Sequence, residues 1–393
     1  MPELPRRRVA LLVETSHGSG REILKGIARF SRQNANWQLF HGASGLTEQI
    51  PEWLDEWEGD AVIARIQNEE TREKLEKIDI PVVDVLGVCP NPFPLVHVDD
   101  IAIAQMAARH FLDRDFQHFA YCGIAGENWS ELRGKAFQEA TRERLSFHEF
   151  QSPRTRDSPT PHEFQRLQEW LRKLPKPTAM MVCSDQRGLE LLEACLSEKI
   201  PVPEEIAVVS VDNDLALCDL SDPPLSSIRG GHFNVGFEAA RLTEHLLNGG
   251  EAPRKPLLVP PNGLVERESS RVRAIDDPVV ARGVQFIREN LADSLTNDSI
   301  ARAVGVSRTL FQQKFRESMK KTIREFILER RIERAVLLIE STDIPFAEIA
   351  DRSGFRHQEY LGQVVKKATG CTPGTLRKEA LHRTPEKASI PEE

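Results

Sequence analysis

Two short stretches near the C-terminus repeat the same order of residue types. The first reads Ile300-Ala301-Arg302-Ala303-Val304-Gly305-Val306-Ser307, and the second Ile349-Ala350-Asp351-Arg352-Ser353-Gly354-Phe355. Each is a short helix with one apolar face, then a Gly, an apolar residue and a second helix. The Gly supplies the positive φ that a tight turn between crossed helices needs. The Ser307 hydroxyl is suited to capping the helix that follows it. Phe311 and Phe315, four residues apart, would pack that helix on its partner, as would Leu361 and Val365 in the second copy. Two helices joined this way can place the second in the major groove of double-stranded DNA. Enzyme signatures fail. There is no Walker A sequence and no GxSxG elbow, and after Gly18-Ser19-Gly20 an Ile23 stands where a dinucleotide fingerprint needs Gly. The 11 His residues show no HxxxH or HExxH spacing. The expectation is no catalytic residue, no metal and no cofactor.

The elements that carry these residues differ along the chain. Up to about residue 270, short apolar runs at 9–13, 61–66, 82–86, 119–121, 179–183 and 207–211 alternate with amphipathic stretches at 21–33, 101–112, 131–144, 164–174 and 188–199. Such runs read as buried parallel strands, and the alternation predicts a doubly wound α/β architecture, here in two lobes. From 279 onward the pattern is helical only, over 279–291, 298–304, 307–319, 322–339, 345–352 and 358–369. We therefore expect an α/β sensor over 6–267, a linker over 268–278, an all-α domain with two helix-turn-helix motifs over 279–380 and a frayed tail over 381–393.

Charge follows the same division. The chain of 393 residues has a formal charge of −8, which argues against a phosphate partner if it is spread evenly. It is not spread evenly. Residues 278–393 hold 20 Lys and Arg against 16 Asp and Glu, a net of +4, and residues 1–277 hold 32 against 44, a net of −12. No run reaches the ~18 apolar residues of a membrane span. The apolar run 9–13 is too short for a signal-peptide core of ~7–15 residues. The six Cys have no CxxC spacing and read as inert thiols, so a cytoplasmic location is expected.

Residues 298–378 resemble the DNA-binding domain of the AraC/XylS transcription regulators. The motif carriers are Ile300-Ala301, Gly305-Val306-Ser307-Arg308, Phe311, Phe315, Arg331-Ile332, Ala335, Leu338, Ile349-Ala350, Ser353-Gly354-Phe355, Val365-Lys366-Lys367, Thr369-Gly370 and Thr372-Pro373. By helical face, Ser307, Arg308, Thr309, Gln312 and Gln313 lie opposite the two Phe and are candidates to read base edges. Arg356, His357, Gln358, Glu359 and Gln363 are their counterparts, because Arg and Gln make bidentate contacts to guanine and adenine. Lys314, Arg316, Lys320, Lys366 and Lys367 are candidate phosphate contacts. The second copy departs from the family pattern: Val365 and Leu361 stand where aromatics are usual, and Gly362 costs its helix about 1 kcal/mol relative to Ala.

The N-terminal part resembles the periplasmic-binding-protein-like sensor of LacI/GalR regulators. Matching pieces are Val96-His97-Val98-Asp99-Asp100, Arg133-Gly134-Lys135-Ala136-Phe137, Met181-Val182-Cys183-Ser184-Asp185 and Val208-Val209-Ser210-Val211-Asp212-Asn213-Asp214. Pro223-Pro224-Leu225-Ser226-Ser227-Ile228 is similar to the segment that crosses back between lobes. A sensor of this kind ahead of an AraC-like reader resembles activators of bacterial pentose catabolism. The resemblance implies a sugar effector in the interlobe cleft, with D-xylose as first choice, a homodimer on repeated half-sites, and RNA polymerase as a further partner. Another sugar, a repressor of the same architecture and a non-regulatory binding protein remain alternatives. Sugar hydroxyls pair with carboxylates and guanidinium groups, and an aromatic covers the apolar ring face. On that basis Arg65, Asp84, Asp100, Arg133, Asp185 and Asp212 are candidate ligand contacts, with Thr15 weaker and Trp129 a stacking face. Asp99, Asp100 and Asp185 can equally cap the helices they precede.

Overall fold

A computed structural model of the chain describes residues 6–42, 54, 56–88, 90–153, 160–275 and 277–383. They fall into two compact units, Met1–Ala274 and Ile275–Glu393.

The first unit opens with β1 (Arg7–Leu12), α1 (Gly18–Asn34), β2 (Trp37–His41), β3 (Ala61–Ala64), α2 (Glu69–Leu75), β4 (Val82–Asp84) and β5 (Val96–Val98). It continues with α3 (Asp100–Leu112), β6 (His118–Ile124), α4 (Asn128–Ala140), β7 (Ser146–Ser152), α5 (Pro161–Lys173), β8 (Thr178–Val182), α6 (Asp185–Ser197) and β9 (Ile206–Val211). It ends with α7 (Leu215–Leu220), β10 (Ser226–Ile228), α8 (His232–Leu247), β11 (Leu257–Val259), β12 (Leu264–Val265) and a 3-10 turn at Glu268–Ser270.

These strands build two sheets, one per lobe. The first has the order β2-β1-β3-β4 and continues through an Asp84–Leu95 bridge to β5 and β11. The second has the order β12-β10-β9-β8-β6-β7, parallel except for β12. Its central strands β6, β8 and β9 are buried and largely apolar on both faces, which is why they read as continuous runs. Phe119, Tyr121, Ala179, Met181, Ala207 and Val209 enter one core, and the alternating Ala120, Cys122, Met180, Val182, Ile206 and Val208 enter the other. In the first lobe α1 and α8 touch backbone to backbone. A Cβ on Gly26 would lie 2.0 Å from the Phe233 carbonyl oxygen, and one on Gly236 would lie 2.0 Å from that of Ile23.

The chain crosses between lobes three times, after β5, β10 and β11. The crossings are tied to one another: Asp99 N–H donates to Val259 O at 2.8 Å, Arg229 N–H to Gly263 O at 2.9 Å and Asn262 N–H to Arg229 O at 2.7 Å. The linker expected over 268–278 is largely not free chain. Ser269 Oγ donates to Val208 O at 2.7 Å and accepts from Ser226 N–H, while Ser270 Oγ donates to Ser226 Oγ at 2.8 Å. Residues up to 274 therefore belong to the sensor, and Asp277 N-caps the next helix.

The second unit contains α9 (Pro278–Glu289), α10 (Asn297–Ala303), α11 (Arg308–Met319), α12 (Ile323–Ser341), α13 (Phe346–Arg352), α14 (Gln358–Thr369) and α15 (Pro373–Arg383). Ser307 caps α11 as expected, and Gly305 and Gly354 both adopt φ of +77° at their turns. α12 joins the two motifs. Near its start Phe326 meets Phe315 at 5.5 Å, and further along Ala335 and Ile339 enter a second core with Ile349, Phe355, Leu361 and Val365. Arg331 locks this arrangement by donating to Leu291 O at 3.0 Å and Asp293 O at 2.7 Å. α15 was not expected and runs into the tail predicted from 381; residues 384–393 lie outside the described residues.

Candidate functional site

Ligands of open α/β sheets bind beyond the C-terminal ends of the strands, where strand order reverses. In the first lobe that point lies between β1 and β3. Glu14 follows β1, Arg65 follows β3, and the two form a buried ion pair. Arg65 also reaches Ser19 Oγ at 3.3 Å. From the second lobe, α4 delivers Arg133, which is 3% exposed. Its Nε donates to Asp100 at 2.8 Å and its Nη1 to Cys183 O at 2.6 Å. Its guanidinium lies 5.0 Å from the centre of the Trp129 ring. One face of that ring therefore stacks on Arg133. Asp100 is not the cap of α3; Asp99 is. Burial opposes ionisation of Asp100, yet Arg133 and His97 outweigh it and hold its carboxyl below the usual range.

Asp212 directly follows β9 with φ of +109°, in the region that side chains rarely adopt. Burial pushes its carboxyl up to about 7, against the pull of Arg133 and Arg65, one from each lobe. His232 Nε2 lies 3.8 Å away, and burial beside Arg65 and Arg133 keeps that ring neutral well below its ordinary value. Among the described residues, three buried polar atoms along this cleft have no hydrogen-bond partner: Glu14 Oε2, Arg65 Nε and Asn213 Oδ1, while His97 Nε2 lies 3.4 Å from Asp100. A native fold leaves few such atoms, and a cluster of them calls for an explanation.

Two expected contacts are used elsewhere. The Asp84 carboxylate accepts from Leu86 N–H at 2.9 Å, Gly87 N–H at 3.1 Å, Ile66 N–H at 3.4 Å and Asn91 Nδ2 at 2.9 Å, so it staples its own loop. Asp185 accepts from Ser210 Oγ at 2.5 Å, Ser227 Oγ at 2.6 Å and Asp214 N–H at 2.6 Å. It is 1% exposed, and burial raises its carboxyl to about 6. Its role is to support the β9–α7 loop from below, while Ser184 caps α6. Thr15 offers its carbonyl to Arg21 at 2.8 Å.

The lobes are joined at both rims of the cleft. Arg21 on α1 pairs with Asp214 after β9 at 2.8 Å, and Asn128 at the start of α4 donates to Gly87 O at 2.6 Å. Sequence reasoning missed Glu14, His97, His232, Arg21 and Asp214. Glu14 was accessible to the strand-end rule, since it follows the first apolar run.

α11 and α14 expose most of the side chains that are candidates for DNA contact. Arg308, Thr309, Gln312, Gln313, Arg316 and Lys320 are exposed, as are Arg356, His357, Gln358, Glu359, Gln363, Lys366 and Lys367. Ser307 is exposed but its hydroxyl caps α11, accepting from Leu310 N–H at 3.3 Å. Lys314, expected to contact phosphate, pairs with Asp277 at the start of α9. α14 lacks a side-chain cap at His357, and Gly362 has open space where a Cβ would lie.

Comparison with known proteins follows the same division of the chain. The XylR N-terminal domain family matches residues 8–104, the periplasmic binding protein-like domain family 108–270 and the helix-turn-helix domain family 300–379. The xylose operon regulatory protein of Escherichia coli strain K12 is 30% identical over 384 residues, 95% of this chain and 97% of that protein. The chain belongs to the xylose operon regulatory protein family. Within that family, the solved "structure of xylose-binding transcription activator xylR" matches at a TM-score of 0.82 and 28% identity, over 95% of this chain and 98% of that one. The sensor alone shares its fold with a periplasmic binding protein/LacI transcriptional regulator from Alkaliphilus metalliredigens, at a TM-score of 0.53 and 18% identity over 67% of this chain and 99% of that one. This family member is a transcription regulator, with a sugar-sensor domain followed by an AraC-type DNA-binding domain, and not an enzyme. No described helix is long and apolar enough to cross a membrane.

Proposed function

We propose that the chain is a cytoplasmic, homodimeric activator of xylose catabolism genes, switched by D-xylose in the interlobe cleft. The observation that carries the effector site is the cluster of partnerless buried polar atoms around Arg65, Arg133 and Asp212. A pentose would supply what they lack. Its hydroxyls donate to Glu14 and Asp212 and accept from Arg65, with Arg133 and His97 both held by Asp100. The choice of D-xylose and the activator role rest on the names of the relatives. Sugar that bridges the lobes stabilises the closed form by the difference in its affinity for closed and open states. The exit segment at Ser269 and Ser270, fixed to the second lobe, carries that change toward the reader. Recruitment of RNA polymerase completes the activator reading.

Titration calorimetry of the full chain with D-xylose, L-arabinose and D-ribose tests this reading. The expected result is saturable binding of D-xylose, weaker or absent binding of the other two, and loss of binding in Arg133→Ala. Binding of D-xylose unchanged in Arg133→Ala and Asp212→Asn together would sink the assigned site.

A further inference from the structure

Three large apolar side chains of the second unit stand exposed among the described residues: Leu310 at 41%, Leu337 at 50% and Tyr360 at 48%. A single exposed Leu on a protein surface is ordinary. Leu337 lies on α12, but the placement of the other two is not scattered. Leu310 lies three residues after the cap of α11, and Tyr360 three residues after that of α14. Each directly precedes the buried residue that seats its helix, Phe311 and Leu361 respectively. The two side chains therefore hold the same register position on the two reading helices. Their neighbours there, Thr309 and Gln313 in one and Glu359 and Gln363 in the other, are polar and exposed. Tyr360 is steadied by edge contact with Phe355, with ring centres 6.0 Å apart at 67°.

In the major groove, thymine alone among the bases presents an apolar group, its 5-methyl. We propose that Leu310 and Tyr360 are matched specificity-determining residues, each reading a thymine methyl, so that the operator carries thymine at equivalent steps of two successive major grooves. This rests on the DNA-binding reading of α11 and α14 and adds to it a base identity that Arg and Gln contacts do not supply. The second unit holds a net of only +4 from residue 278 onward, so base contacts carry a larger share of affinity than they would on a strongly basic surface.

The test uses the full chain and duplexes that it enriches from a random 40-base-pair pool. Each thymine of the enriched site is replaced in turn by deoxyuridine, which removes the methyl and leaves every hydrogen-bonding atom. The expected loss is about fourfold in affinity at each of two positions, from the area of one buried methyl, spaced about one helical turn apart. Leu310→Ala should erase the loss at one position and Tyr360→Ala at the other, while circular dichroism confirms that both variants are folded. Losses that persist in both variants, or no loss at any thymine, overturn the proposal while leaving selective DNA binding intact. Failure to enrich any sequence overturns it together with the DNA-binding reading on which it rests.

Discussion

The affinity of the sensor for D-xylose should rise with pH across neutrality, and Asp212 sets the size of the effect. Burial pushes its carboxyl up to about 7, while Arg133 and Arg65 pull it down and Asp185 and Asp100 push it up. Three of its neighbours keep their states between pH 6 and 8, while Asp185 takes up a proton at the low end of that range. Asp100 is held below its ordinary value, Arg133 is raised, and His232 stays neutral because its own value is depressed. Asp185 lies lower, at about 6, and its hydroxyl partners hold it away from the ligand. The sign follows directly. A sugar hydroxyl donates to the carboxylate, so the ligand binds the ionised form and competes with a proton. Above pH 8 the group is ionised and affinity is full. At pH 6 the group is mostly protonated, and as Asp185 also gains a proton there and relaxes its push on Asp212, affinity should fall by up to about tenfold, about 1.4 kcal/mol. Titration calorimetry at pH 6, 7 and 8 measures it. At pH 7 the apparent enthalpy should also depend on the buffer, because binding releases about half a proton. Asp212→Asn should flatten the profile. An affinity constant across this range, or one tighter at pH 6, would refute the reasoning.

Three further perturbations follow from named contacts. Arg21→Ala removes the rim pair with Asp214; exposed pairs contribute about 0–1 kcal/mol, so D-xylose affinity should drop by no more than about fivefold, with sugar release measurably faster by stopped flow and an unchanged release rate counting against a rim latch. Gly26→Ala drives a Cβ into the Phe233 carbonyl, so thermal melting should show destabilisation of about 1–3 kcal/mol, and a variant as stable as the parent would mean that α1 and α8 are not in backbone contact. Lys366→Ala should reduce the slope of log affinity against log salt by about 0.9, whereas Lys314→Ala, whose partner is Asp277, should leave that slope unchanged; equal slopes in the two variants would contradict the division between them.

The helical reader was legible because its rules are local. Gly305, Ser307, Phe311 and Phe315 fix a turn, a cap and a buried face within a dozen residues, and α14 occupies the expected span, Gln358–Thr369. α15 escaped because its signal is short: Thr372, whose hydroxyl accepts from Thr375 N–H, and Pro373 at the first turn, followed by little periodicity. β7 escaped for a different reason. It lies at a sheet edge, and Ser146-Phe147-His148-Glu149-Phe150-Gln151-Ser152 lacks the apolar run that marks buried strands. In the cleft, Asp84, Asp185 and Asp212 look alike in sequence, each an acid near the end of an apolar run. What separates them is tertiary. Backbone amides and Asn91 close around Asp84, hydroxyls from β9 and β10 close around Asp185, and Asp212 instead faces His232 at 3.8 Å under the pull of Arg133 and Arg65. The rim pair was invisible because Arg21 and Asp214 lie 193 residues apart.

The central claim is that a sugar in the sensor cleft controls DNA binding by the two reading helices. The most direct measurement is fluorescence anisotropy of the full chain on a duplex enriched by it in the presence of D-xylose, repeated with D-xylose, with L-arabinose and with no sugar. The account predicts at least tenfold tighter binding with D-xylose than in the other two conditions, and loss of that difference in Arg133→Ala with sugar-free binding retained. Equal affinity under all three conditions in the parent chain would contradict it.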